Sequence, residues 1–199
     1  MNHALRPEPL PNWDSYCYYP QHVPSLLCER IIACAQRYPE QAGQVVVSEQ
    51  AQARPGRRDC RLRWMRPDAE SAFIYEALGR IMHMANTARW GFDLHGFADA
   101  LQYTEYREAG HHHDWHMDLG PGPYSTRKLS LVLQLSDGAD YGGADFEVLS
   151  DCPSNAQRAA MRERGSVIVF PSYTSHRVSP LQQGCRHSLV AWMVGTAFR

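Results

Sequence analysis

The sequence lacks any long apolar run. No stretch approaches the roughly 18 uninterrupted apolar residues that a membrane-spanning helix needs. The first residues also lack the apolar segment of a secretory signal, so we expect a cytoplasmic protein with no membrane contact. Hydrophobic residues nevertheless make up 44% of the 199 residues, and charged residues 21%. This balance excludes disorder for most of the chain and is typical of one globular domain with its own core.

A surplus of charge of either sign is missing as well. The net charge is −1 at pH 7, and Lys128 is the only lysine. Because the chain has no overall positive charge to attract phosphates, we do not expect nucleic acid as a partner. The arginines between Arg54 and Arg66 form a local basic cluster, which suits either an acidic substrate or the solvent-exposed face of a strand.

Paired cysteine motifs are absent. The six cysteines form no C-x-x-C pair and match no zinc-binding spacing. In a cytosolic protein, isolated cysteines of this kind are expected to be free thiols, most of them buried. They are Cys17, Cys28, Cys34, Cys60, Cys152 and Cys185.

The pattern of the chain changes near residue 92. Residues 1–23 are rich in proline and aromatic residues and are interpreted as an irregular N-terminal arm. Two amphipathic helices are predicted over 25–38 and 68–88, capped by Ser25 and Asp68, with short strands over 44–48 and 60–65. We therefore expect one domain over 24–199, divided into a helical support at 24–92 and a β core at 93–199.

Short strands dominate the second part. Glycine and proline turns separate them, and one short helix over 155–164 interrupts them. The predicted strands span 101–106, 115–119, 128–135, 145–148, 166–170, 176–178 and 187–196. Many short strands with such punctuation are typical of a sandwich or a jelly roll, so the predicted fold is mainly β with N-terminal helices.

The chemistry-bearing pattern lies in the histidine-rich stretch 111–118. On a strand, His116 and Asp118 point to the same face and offer an imidazole and a carboxylate to one point. His176 follows an apolar strand and could supply a third ligand. Two histidines and one carboxylate form the facial triad of non-haem Fe(II) oxygenases, which leaves coordination positions open. From this stretch alone, a solvated loop with incidental imidazoles is the simpler interpretation, and His112 to Asp114 repeats the same H-x-D pattern.

A second pattern follows ten residues after His176. Arg186 and Ser188 lie two apart on one predicted strand and therefore share a face. A guanidinium group binds a carboxylate through two parallel hydrogen bonds. A dicarboxylate whose other end chelates a metal would satisfy a buried arginine at this position.

Residues 101 to 198 resemble the Fe(II)- and 2-oxoglutarate-dependent dioxygenases, in particular the prolyl-4-hydroxylase-like (PKHD-type) branch. The segments that carry this resemblance keep the order and spacing of that branch. They are 102–106 with Gly110 and 116–118, then 128–136 with 141–146, then 165–172 with 176–180, and finally 184–192. The spacing from Tyr106 and Gly110 fits His116, whereas His112 fits neither.

The resemblance implies a double-stranded β-helix (jelly roll) and a set of site residues. It implies that His116, Asp118 and His176 bind Fe(II), and that Arg186 binds the distal carboxylate of 2-oxoglutarate. The other implied co-substrate residues are Tyr106, Ser130, Gln134 and Ser188, and the implied substrate residues are His113 and Trp192. Gln134 departs from the aromatic residue often found at its position, although its amide could still donate to a carboxylate.

The resemblance further implies a hydroxylase that uses Fe(II), 2-oxoglutarate and O₂ and releases succinate and CO₂. Its expected acceptor is a prolyl or other amino-acid residue of a protein or peptide, and a free amino acid or small metabolite is the alternative. Nucleic-acid demethylation is disfavoured because Trp192 stands where those relatives carry a second arginine. A non-catalytic module that binds metal or 2-oxoglutarate is the alternative of another class.

Overall fold

The computed structural model describes residues 14–43, 45–47, 50–52, 57–149 and 151–197. Trp13, Arg54 and Phe198 therefore lie outside the described residues, together with most of the predicted N-terminal arm. Of the helices in the described part, none combines the length and the apolar character that a membrane crossing requires.

Three α-helices are described: α1 (Ser25–Ala35), α2 (Ala72–Arg89) and α3 (Asn155–Arg162). The predicted caps of the first two helices are wrong. Ser25 is the first residue of α1 and makes no capping hydrogen bond. Asp68 instead accepts the backbone N–H groups of Glu70 and Ser71 in the turn before α2, which delays the start of that helix by four residues.

The strands preceding α2 are β1 (Cys17–Tyr19), β2 (Glu40–Ala42), β3 (Val45–Val47), β4 (Gln50–Gln52), β5 (Arg58–Asp59) and β6 (Arg61–Met65). The next group comprises β7 (Leu94–Phe97), β8 (Leu101–Tyr106), β9 (His112–His116), β10 (Arg127–Gln134), β11 (Tyr141–Gly143) and β12 (Phe146–Val148). The last are β13 (Val167–Pro171), β14 (His176–Val178), β15 (Leu181–Gly184) and β16 (Arg186–Gly195).

Two sheets dominate the architecture. The major sheet has the strand order β1-β13-β10-β16-β8-β6-β2, with β7 also paired to β16. The minor sheet has the order β12-β14-β9-β5. Adjacent strands in both sheets are antiparallel, and their arrangement is the predicted double-stranded β-helix.

The alternation along β10 explains which side chains face the interior. Leu129, Leu131 and Leu133 are fully buried against the core that includes α1 and α2. Ser130 and Gln134 therefore point to the opposite face, toward the minor sheet. Because both faces of the strand are covered, all eight of its residues are buried, and polar side chains among them must find partners inside the protein.

The segment expected to be a helical support, 24–92, also supplies strands. β2 and β6 extend the major sheet, and β5 extends the minor sheet next to β9. These pairings join residues far apart in sequence, which local periodicity does not reveal. The domain boundaries at 23/24 and 92/93 stay predictions.

Candidate active site

Three potential metal ligands meet between the two sheets. Side-chain donor atoms of His116, Asp118 and His176 all lie within 4.8 Å of one another. The Nε2 atoms of His116 and His176 are each 3.7 Å from a carboxylate oxygen of Asp118. The side chains of Asp118 and His176 are buried, and that of His116 is half-buried. The predicted trio is therefore assembled in space as one imidazole–carboxylate–imidazole group.

Strand pairing and local hydrogen bonds orient the two imidazoles. His116 ends β9 and His176 begins β14, and the two are direct cross-strand partners. Each Nδ1 lies 2.8–2.9 Å from a backbone carbonyl oxygen two residues earlier, at Asp114 and Thr174. Since a carbonyl oxygen only accepts, Nδ1 carries the hydrogen and Nε2 presents its lone pair to the shared centre.

Asp118 lies just beyond the strand that was predicted to contain it. β9 spans His112–His116 rather than 115–119, because the backbone N–H of Asp118 bonds to the Ser172 carbonyl at 3.0 Å. Its side chain accepts a hydrogen bond of 2.6 Å from Ser130 Oγ. Burial acts to raise the pKa of Asp118, but the charge that His176 and His116 carry when protonated, together with the hydrogen bond from Ser130, outweighs it and holds the pKa below its ordinary value.

Burial favours the neutral forms of His116 and His113. Burial and the neighbouring His176 lower the pKa of His116 to about 4. Burial, followed by the charge of Arg58, holds the pKa of His113 well below its ordinary value. His113 stacks on His116 with ring centroids 3.6 Å apart. A neutral imidazole is the form that binds a metal, so this environment suits a cation site.

Arg186 is buried beside this group with an incomplete set of partners. Its Nε donates to Gln134 Oε1 at 3.0 Å. Both of its terminal nitrogens are buried and have no hydrogen-bond partner among the described residues. The side chain is only 1% exposed, so an unpaired guanidinium here is costly unless an anion binds it.

The ligand group and Arg186 open into one cavity of about 500 Å³. Four other residues predicted to contact the co-substrate or the substrate also line it, namely Tyr106, His113, Ser188 and Trp192. The guanidinium carbon of Arg186 lies 5.3 Å from the centre of the Tyr106 ring. The cavity therefore joins the metal-ligand group to a buried cation that suits a carboxylate.

Two predicted co-substrate residues contact other residues of the candidate site. Ser130 and Gln134 do not line the cavity; they contact Asp118 and Arg186 instead. The expectation that they face the co-substrate stays a prediction. Both lie on the interior face of β10.

Several lining residues escaped the sequence prediction. Trp64 and Trp192 face each other with ring centroids 6.1 Å apart. Arg127 lies over the Trp192 ring at 4.2 Å, bonds to the carbonyl of Asp118 at 3.3 Å and pairs with Asp99. No local signal marked Trp64 or Arg127, because strand pairing between distant segments brings them to the cavity.

The basic cluster divides into two groups. Arg57 and Arg58 line the cavity. Arg61 and Arg63 instead form ion pairs with Glu40, at 3.9 and 2.9 Å. Arg66 is exposed, and Arg54 lies outside the described residues. Only part of the cluster is therefore placed to meet a ligand.

The residues present fit Fe(II) and 2-oxoglutarate. Two imidazole nitrogens and one carboxylate are the donor set of non-haem Fe(II) sites and leave positions open. The buried, unpaired nitrogens of Arg186 match the distal carboxylate of a dicarboxylate.

Comparison with known families agrees with this geometry. Residues 101–194 match the family described as the 2OG-Fe(II) oxygenase superfamily. The matched segment, slightly less than half of the chain, is similar to that superfamily. The match covers β8 to β16 and includes every residue of the ligand group as well as Arg186. The family resemblance predicted from the sequence is thus confirmed, and the superfamily's description implies Fe(II) and 2-oxoglutarate as cofactor and co-substrate.

Curated relatives share only part of the chain. A PKHD-type hydroxylase of Synechococcus elongatus is 35% identical over 98 residues, which is 47% of this chain and 42% of the relative. A PKHD-type hydroxylase of Prochlorococcus marinus is 27% identical over 110 residues, covering 55% of this chain and 48% of the relative. The chain spans less than half the length of these relatives.

Solved structures extend the similarity to nearly the whole fold. A prolyl-4-hydroxylase of Pseudomonas putida superposes with a TM-score of 0.69 at 19% identity, covering 92% of this chain and 94% of the other. A Trichoplax adhaerens prolyl hydroxylase, solved with a hypoxia inducible factor peptide fragment, gives 0.73 at 14% identity and covers 92% and 84%. At these identities the comparison establishes the double-stranded β-helix fold.

Proposed function

We propose that this protein is an Fe(II)- and 2-oxoglutarate-dependent dioxygenase that hydroxylates an unactivated C–H bond. The observation that carries the proposal is one cavity lined both by the His116–Asp118–His176 group and by a buried, unpaired Arg186. The ligand group alone, or a buried arginine alone, also occurs in sites of other kinds. Together they match a metal and a dicarboxylate bound side by side.

In this proposal the side chains hold and orient the reactants. His116, Asp118 and His176 hold Fe(II), while Ser130 fixes one oxygen of Asp118. Arg186 binds the distal carboxylate of 2-oxoglutarate, and Gln134 fixes the guanidinium plane through Nε. When bound, Fe(II) and 2-oxoglutarate together with O₂ would supply the oxidising chemistry. That chemistry converts 2-oxoglutarate to succinate and CO₂ and hydroxylates the acceptor.

The remaining walls would receive the acceptor. Tyr106 and Ser188 flank the Arg186 end of the cavity, and His113 and Trp192 line it as candidate substrate contacts. The buried indole Nε1 of Trp192 has no hydrogen-bond partner among the described residues, so it can donate to a polar group of the acceptor. Trp64 provides a second aromatic surface next to it.

We propose a prolyl or other amino-acid residue of a protein or peptide as the acceptor. Support comes from the PKHD-type relatives and from the Trichoplax prolyl hydroxylase, whose structure contains a peptide fragment. The aromatic pair at the cavity suits a flat or ring-shaped side chain. A free amino acid or small metabolite is the alternative, since a cavity of about 500 Å³ also accommodates one.

Succinate formation tests the proposal. The protein is incubated with Fe(II), 2-oxoglutarate, ascorbate and O₂, with either proline-containing peptides or free amino acids, and mass spectrometry follows gain of one oxygen atom. We expect succinate in every assay that contains wild-type protein, and a much faster rate with the correct acceptor class. His176→Ala should abolish it, and Arg80→Gln, an exposed helix variant, should not.

Two outcomes would contradict the proposal. Tight 2-oxoglutarate binding without succinate under any acceptor would favour the non-catalytic binding module. If His176→Ala still forms succinate at the wild-type rate, the assignment of the iron ligands is wrong.

A further inference from the structure

A second group of side chains with potential metal-ligand atoms lies on the other face of the major sheet. Glu105, Cys185 and His187 place a carboxylate oxygen, a thiol sulfur and an imidazole nitrogen within 4.8 Å of one another. Because side chains alternate along β16, His187 points away from the cavity that Arg186 and Ser188 face. The proposed dioxygenase function does not use this group.

Strand geometry brings the three side chains together. Glu105 on β8 and His187 on β16 are direct cross-strand partners. Cys185 precedes β16 and lies two residues before His187, after the turn at Gly184. Gly184 has a φ of +75°, and a Cβ there would come within 2.0 Å of the Asp140 carbonyl, so the backbone entering Cys185 is tightly constrained.

His187 is oriented as metal-bound histidines usually are. Its Nδ1 lies 2.6 Å from the hydroxyl of Tyr103, which is fully buried and stacked on the imidazole. Its Nε2 lies 3.3 Å from Cys185 Sγ. When Nδ1–H donates to Tyr103, the lone pair of Nε2 points toward the sulfur. A hydrogen-bond partner on the far ring nitrogen is the usual support of a histidine ligand.

Glu105 contributes an incompletely paired carboxylate. The residue is only 7% exposed, and its Oε2 has no hydrogen-bond partner among the described residues. Arg63 Nε lies 3.8 Å from that oxygen, beyond hydrogen-bond distance, and Oε1 lies 3.7 Å from His187 Nδ1. A buried carboxylate with an unused oxygen gains stability from a cation.

We propose that Glu105, Cys185 and His187 form a second metal site for a thiolate-binding divalent ion of the zinc class. Tetrahedral zinc places neighbouring sulfur and nitrogen ligands about 3.5 Å apart, close to the separation between Cys185 and His187. Binding forms a metal–sulfur bond and releases the thiol proton to solvent. Thiolate and imidazole favour zinc over magnesium or calcium. Cys185 is partly exposed, which gives the ion an entry path.

Cobalt(II) tests the site because a thiolate ligand gives it an intense near-ultraviolet charge-transfer band. The candidate iron site contains no cysteine, so the band reports only on the second site. Titrating the whole protein anaerobically with Co(II) should produce the band, and Zn(II) should bleach it. The band should persist in His176→Ala and in Cys152→Ser, a variant of an exposed cysteine.

Two variants should affect the band selectively. Cys185→Ser should abolish it. Tyr103→Phe keeps the ring but removes the hydroxyl that supports His187, and should weaken cobalt binding by about tenfold or more. Circular dichroism shows whether each variant is folded.

A measurement on the unmodified chain covers the case in which a variant fails to fold. Zn(II) should protect Cys185, but not Cys152, from alkylation, as mapped by mass spectrometry. The proposal is overturned if wild-type protein shows no thiolate band, if the band survives Cys185→Ser, or if Zn(II) leaves the alkylation of Cys185 unchanged.

Discussion

Replacing Arg186 with glutamine should weaken 2-oxoglutarate binding by about 30-fold or more. The guanidinium is 1% exposed and both terminal nitrogens are unpaired among the described residues, so a bound carboxylate would receive two charge-assisted hydrogen bonds. Removing one partner of a buried, hydrogen-bonded charge pair costs about 2–5 kcal/mol. Since about 1.4 kcal/mol corresponds to a tenfold change, even the lower limit gives the stated loss.

Two assays measure this effect without an acceptor. Anaerobic titration of the Fe(II) protein with 2-oxoglutarate should give the weak visible charge-transfer band of a chelated keto acid, and the half-saturating concentration gives the affinity. Thermal unfolding gives an independent value, because a ligand at 100 times its Kd stabilises the folded state by about 2.7 kcal/mol. At that same concentration, 2-oxoglutarate should stabilise the folded state of Arg186→Gln much less.

The matched control is Arg80→Gln, the same chemical change at an exposed position of α2. It should leave both the band and the stabilisation unchanged. Equal affinities in wild-type protein and Arg186→Gln, with the variant folded and still binding iron, would refute the assignment of the co-substrate carboxylate to Arg186.

Three further variants test the supporting structure. Ser130→Ala removes the 2.6 Å hydrogen bond to Asp118 and should weaken metal binding by about 10- to 100-fold, measured by Fe(II) titration. Gln134→Leu removes the acceptor of Arg186 Nε and should raise the KM for 2-oxoglutarate by about tenfold, consistent with a lost charged hydrogen bond of roughly 1.5 kcal/mol. Gly143→Ala should lower the free energy of unfolding by more than about 1 kcal/mol in denaturant titrations, because φ is +71° and the new Cβ would meet a carbonyl oxygen at 2.2 Å.

Each of these has a result that would contradict it. Unchanged iron affinity in Ser130→Ala would mean that the hydroxyl does not orient Asp118. If Gln134→Leu lowers kcat but leaves the KM for 2-oxoglutarate unchanged, Gln134 does not contribute to co-substrate binding. Wild-type stability in Gly143→Ala would show that the turn before β12 relaxes freely.

Local patterns in the sequence were sufficient for the main β elements. The strand predicted over 128–135 is β10 (Arg127–Gln134), one residue earlier at each end. The strands Leu101–Tyr106 and His176–Val178 have the predicted limits. These features follow from the two-residue period of the extended backbone, which each segment carries independently of the rest of the chain.

Strand boundaries and pairings depended on distant residues. β1 joins the major sheet through β13, with Cys17 opposite Val169. β6 joins the major sheet through β8. β6 precedes the predicted β core, whereas β8 lies near the start of that core. Neither pairing has a local signature, because the partners become neighbours only when the sheet closes.

The ligand types of the site were determined by the sequence alone, while their arrangement was decided by the tertiary structure. His116 and Asp118 carry their donors in any fold, and the family spacing selected His116 over His112. Only the folded sheets bring His176 opposite His116 and place the hydroxyl of Ser130 within hydrogen-bond distance of Asp118. The physical reason is that donor chemistry belongs to each residue, whereas the distance between two donors depends on register and packing across the whole domain.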